Sequence, residues 1–114
     1  MHKPISIGKV IVDISKGIQC GGFHFDVVAD QPSHRSLRAN NNNGECDCNN
    51  KLISLDCDMD AAQFSKTFIH EVIEAVNNVY CNDELEHPKI QQLSYGIHQV
   101  MESLGVRFGY EKGR

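Results

Sequence analysis

The chain has no long apolar run, no basic cluster and no even set of cysteines, and each absence narrows what it can be. A helix that spans a bilayer needs about 20 consecutive apolar residues. No stretch of the 114 residues approaches that. Met1-His2-Lys3-Pro4 opens the chain without the apolar core of a secretory signal, so no signal peptide is expected. The net charge of −4 and the scattered lysines and arginines argue against a nucleic-acid-binding surface. Five cysteines, an odd number without a secretion signal, do not make a disulfide framework. These absences lead to the expectation of a soluble, cytoplasmic protein with no nucleic-acid or membrane partner. A hydrophobic content of 40% and a charged content of 23% are ordinary, and the length suits one domain, residues 1–114, with one core.

What is present divides at about residue 56. Residues 4 to 28 read as strands. Ile5 and Ile7, then Val10, Ile11, Val12 and Ile14, flank a Gly8-Lys9 turn signal, which predicts a hairpin. Phe23, Phe25 and Val27 alternate with His24 and Asp26, the period of a half-buried strand, with His24 on its polar side. Residues 29 to 50 are polar and asparagine-rich, with a Gln31-Pro32-Ser33 turn signal, and predict a long, partly mobile loop. Leu52, Ile53 and Leu55 predict one more strand.

Residues 57 to 105 read as two helices. Asp58 or Asp60 can cap the first, which runs to about Cys81. Phe68, Val72, Val76 and Val79 share one face, widened by Phe64, Ile69, Ile73 and Tyr80. His70 and Glu74 fall on the opposite side and Glu71 at the edge, so none of the three is expected in the core. Pro88 announces the second helix, with His87 near its cap. Ile90, Leu93, Ile97, Val100, Met101 and Leu104 recur at helical spacing, and Gly105 ends the run. The tail from Arg107 carries no clear signal. The expected fold is α+β, with a small, mainly antiparallel sheet of three to four strands packed on two main helices.

The chemistry centres on His70-Glu71-Val72-Ile73-Glu74. Residues four apart stand one above the other on a helix, so His70 and Glu74 can hold one ion between them. Glu71 is placed to take a proton from metal-bound water. The related H-E-x-x-H motif ends in histidine; here the last position is glutamate. Catalytic zinc takes three protein ligands and keeps one position open. His87, thirteen residues beyond Glu74, is the expected third ligand, because a short connection packs two helices antiparallel. His98 is the reserve. Two imidazoles and one carboxylate make the His2Glu inventory of thermolysin-type zinc sites, and the same donors also suit manganese, iron or nickel. Tyr80, Tyr95 or His98 can supply an oxyanion donor. Cys46-Asp47-Cys48, with Cys57 and Cys20, has atypical spacing for a structural zinc, and reduced thiols are the expected state.

From Lys51 to Asp56, Thr67 to Asn77, His87 to Ile90 and Leu93 to Met101, the chain resembles small phage and prophage-encoded proteins related to the ImmA/IrrE-type minimal zincin metallopeptidases. The resemblance covers roughly residues 45 to 104. It implies a minimal zincin-like fold, one zinc held by His70, Glu74 and His87, and Glu71 as general base. The implied activity is a zinc-dependent, peptidase-like hydrolase acting on a peptide or protein. The alternative is a non-catalytic accessory or binding protein on the same scaffold, its metal structural or absent.

Overall fold

Phe25 and Val27 point inward from a six-residue strand, and Ile53 and Leu55 point inward from its neighbour. Phe25, Ile53 and Leu55 are wholly buried and anchor the core. Truncating any of the three to alanine costs about 2–5 kcal/mol. The computed structural model describes residues 9–111.

The elements run β1 (Val10–Asp13), β2 (Ile18–Cys20), β3 (Phe23–Val28), α1 (Gln31–Ala39), β4 (Gly44–Asp47), β5 (Leu52–Leu55), α2 (Ala61–Tyr80), α3 (His87–Ser103) and β6 (Val106–Gly109). The fold is α+β. Four strands form a mixed sheet in the order β2-β3-β5-β4. The β2–β3 and β4–β5 pairs are antiparallel, and β3–β5 is parallel, with Val27 opposite Ile53. β1 and β6 make a separate two-stranded parallel sheet.

Two sequence expectations change here. Residues 29 to 50 are not one long loop, because they hold α1 and β4. Asp30 caps α1 by accepting the Ser33 N–H at 2.8 Å, Pro32 sits in its first turn, and Leu37 anchors it in the core. The apparent turn signal is thus a helix start. Val10 to Asp13 pair in parallel with Val106 to Gly109, so the featureless tail supplies a strand. Ile5 and Ile7, the other half of the expected hairpin, lie outside the described residues.

α2 begins where Asp60 accepts the Gln63 N–H at 2.9 Å, which selects Asp60 over Asp58 as the cap. It lies between the main sheet on one side and α3 with β6 on the other. Burial therefore spreads around α2. Phe64, Phe68, Ile69 and Ala75 are buried, but so are Ser65, Thr67, Glu71 and Asn77. Val76 and Tyr80, expected on the core face, are exposed. α3 buries Ile90 and Ser94, and leaves Leu93, Ile97, Val100 and the following Leu104 at the surface. Gly105, at φ 79°, closes α3 in a conformation that favours glycine. No described helix is long and apolar enough to cross a membrane.

Candidate metal centre

The connection from α2 to α3 sets the geometry. Asn82 and Asp83 both adopt positive φ and turn the chain back over the last turns of α2. Asn77, 3% exposed, holds the returning segment in place. Its side-chain oxygen accepts the Leu85 N–H at 3.0 Å, and its side-chain nitrogen donates to the Leu85 carbonyl at 3.1 Å. α3 then runs back along α2. His87 meets the 70–74 turn, and further along Lys66 stands over the Tyr95 ring, 4.9 Å from its centroid.

His87 thereby reaches the two α2 side chains. His70 Nε2 is 3.5 Å from Glu74 Oε2, and His87 Nδ1 is 3.8 Å from the same oxygen. The two imidazole centroids are 5.3 Å apart. One donor atom from each residue lies within 4.8 Å of the other two. Nitrogen and oxygen ligands on a tetrahedral zinc stand about 3.3 Å apart, given bonds of about 2.0–2.1 Å. The observed separations close to that by small side-chain rotations, so these residues fit a divalent cation. Burial pushes the His70 pKa down, and the nearby His87 adds to this. That favours the neutral imidazole a metal requires.

Glu71 departs from expectation. It is 6% exposed and packs against the start of β4. A Cβ at Gly44 would stand 2.7 Å from Thr67 Cγ2 and 3.1 Å from Glu71 Oε2, so the glycine leaves room for this carboxylate. Burial first, then the charges of Glu74 and Glu45, pushes the Glu71 carboxyl up to about 8. A helical wheel places Glu71 at the polar edge because it cannot show that β4 covers that edge.

A groove of about 350 Å³ runs over His70, Glu71 and His87. Asn41, Asn42, Asn43 and Gly44 form one wall; Gln91, Ser94 and Tyr95 of α3 line another part. The asparagine wall is tied to α1, because Arg38 donates to the Asn42 carbonyl at 2.7 Å and to Asn43 Oδ1 at 2.6 Å. Of the three candidate oxyanion donors, Tyr95 lines the groove. Tyr80 is exposed at the far end of α2. His98 is outside both the donor group and the groove lining, and its Nδ1 is buried without a hydrogen-bond partner among the described residues.

The cysteines divide into separate places. Cys46 and Cys48 bring their sulfurs within 3.6 Å of each other. Cys57 belongs instead to the β5–α2 turn, where it groups with His34 and Asp56. All five are free thiols. Sequence reading missed three contributors: Asn77, Gly44 and the His34 cluster. The Asp30-x-x-Ser33 cap signal would have placed His34 on a helix; nothing local marks the other two. Comparison with protein-family models, curated proteins and solved structures finds no match to this chain.

Proposed function

We propose that this protein is a zinc-dependent hydrolase of the minimal zincin kind, acting on an extended peptide, with His70, Glu74 and His87 as the ligands. The observation that carries the reading is the approach of donor atoms of His70, Glu74 and His87 to within 4.8 Å of one another, with His70, His87 and the buried Glu71 lining one groove. A cation held there supplies Lewis acidity and makes a nearby water more acidic. The donor group holds three described residues, which is the number that leaves a zinc position open.

Glu71 is the general base. Its raised pKa lies on the side of neutrality where a neighbouring cation brings it down into the range suited to proton transfer. It takes the proton from the attacking water and passes it to the leaving amine. The Tyr95 hydroxyl accepts a hydrogen bond from Gln91 Nε2 at 2.8 Å, which leaves its own hydrogen to donate to a developing oxyanion. The substrate strand adds to β4. β5 is paired on both sides, while β4 is the edge strand and begins at the groove. The free thiols suit a reducing cytoplasm.

Two variants test this. His70→Ala lowers the zinc content of the purified protein by one ion per chain. Glu71→Gln keeps that ion and lowers cleavage of a fluorogenic peptide library at least a hundredfold. Undiminished cleavage by Glu71→Gln overturns the base assignment. A binding protein that has kept the scaffold without turnover is the second reading, favoured by the 68% exposure of the His87 side chain. It predicts zinc bound as above and no cleavage by the wild type.

A further inference from the structure

α2 brings one lysine to the groove. Lys66 stands four residues before His70, so the two share a face of the helix about 6 Å apart along its axis. Among the described residues that line the groove, it is the one lysine or arginine. Its ammonium lies 4.9 Å from the centroid of the Tyr95 ring. That contact holds the cation against the α3 wall and leaves its N–H groups free to donate. Among the described residues, no carboxylate lies within ion-pair distance of it. The neighbouring polar side chains of α2 and α3 are spent on one another. Gln63 Nε2 donates to Thr67 Oγ1 at 3.3 Å, Gln91 Nε2 to the Tyr95 hydroxyl at 2.8 Å, and Ser94 Oγ to the Gln91 carbonyl at 2.8 Å. Glu74 is engaged with His70 and His87. A half-buried ammonium, fixed on a ring and without a counter-ion, is left to receive an anion from outside the chain.

We propose that Lys66 recognises a substrate carboxylate, so that the groove selects peptides carrying a negative charge close to the position of His70. This rests on the reading of the groove as a peptide site. An extended peptide advances about 3.3 Å per residue, so one helical turn on α2 corresponds to about two residues of substrate. The carboxylate is therefore either an aspartate or glutamate side chain within about two positions of the bond to be cut, or the C-terminal carboxylate of the peptide itself. Lys66 acts on specificity and touches no reacting atom. A net charge of −4 does not draw an acidic peptide to the protein from a distance, so the selection rests on this local contact.

The probes are three fluorescein-labelled tetra-alanine peptides: one with a C-terminal amide, one with a free C-terminal carboxylate, and one amidated with glutamate in the third place. Binding to the zinc-loaded full chain is read by fluorescence anisotropy in a Glu71→Gln background, so that turnover does not consume the probe. At least one carboxylate probe binds about 10–100-fold tighter than the neutral one, and which one does so tells a side chain from a C-terminus. Adding Lys66→Met, which keeps the apolar stem, removes the preference at unchanged zinc content; Lys66→Arg keeps most of it. Equal binding of all three probes overturns the proposal. So does a preference that survives Lys66→Met, as direct coordination of the ion by the probe would give, or an equal loss of all three probes in that variant. Cleavage of the same probes by the wild type judges the hydrolase reading separately: a carboxylate preference without cleavage removes the hydrolase and leaves the role of Lys66 standing.

Discussion

Asn77 pairs with the backbone of Leu85 through both ends of its side-chain amide, as a neighbouring strand would. Its own carbonyl also accepts the N–H of Cys81 and of Asp83. One buried residue thus ends α2 and fixes where α3 begins, and His87 is two residues beyond the clamp.

Asn77→Ala leaves the Leu85 N–H and carbonyl without those partners. The expected loss is about 1–3 kcal/mol of stability, as for buried hydrogen-bonding groups left unsatisfied. His87 then loses its fixed position, and zinc affinity at the groove falls about 10–100-fold, the range for residues that orient a ligand. Asn77→Asp keeps the oxygen and loses the donor, and should fall between. Zinc affinity unchanged in Asn77→Ala would show that His87 is held by other means.

Gly44 and Glu71 are predicted to be coupled through space. Gly44→Ala adds a methyl group against Thr67 and the Glu71 side chain, at a cost of about 1–3 kcal/mol typical of overpacking. Thr67→Ser removes the nearer of the two obstructing atoms. The double variant should recover part of the loss in urea denaturation. Gly44→Ala with wild-type stability would mean that β4 can move away from α2.

The Glu71 pKa has a signed consequence for the metal-free protein. The folded value, about 8, lies above the ordinary 4.5. Stability from this group is fully present below about 4.5 and is lost as pH rises through about 8. Glu71→Gln does not ionise. In the presence of a chelator it should exceed the wild type by a few kcal/mol at the upper end of that window, at about 1.4 kcal/mol per pKa unit. The gap should vanish below the lower end. A gap constant across the window would show that Glu71 does not titrate this way.

At the far end of α3, Glu102 is bound by Arg107 at 2.8 Å and Lys9 at 2.9 Å. The Arg107 hydrogen bond first, then that of Lys9, holds its carboxyl down to about 2. Here the folded value is depressed, so the contribution is present above about 4.5 and is lost as pH falls through about 2. The melting temperature of Glu102→Gln should lie below that of the wild type at the upper end of this window, and the two should converge at the lower end. Parallel curves would indicate that the pair contributes nothing through its charge.

Much of the geometry of the candidate site was legible because its first half is local. His70 and Glu74 are one helical turn apart, and that spacing alone aligns them. The boundaries of α2 and α3 were marked by Asp60, Pro88 and Gly105, residues whose backbone chemistry acts where they stand. β4 was not legible. Gly44-Glu45-Cys46-Asp47 has little intrinsic strand preference, and it is a strand because β5 pairs with it. β6 likewise exists through its pairing with β1 at the opposite end of the chain.

The periodicity and caps of the chain by themselves determined an α+β domain and put an imidazole and a carboxylate on adjacent turns of one helix, because both follow from interactions within a few residues. Only the tertiary structure decided that Glu71 is buried, that β4 and not β5 is the open edge, and that His34 faces Cys57. Each of those depends on which segment, distant in sequence, comes to lie against the residue, and no local spacing encodes that.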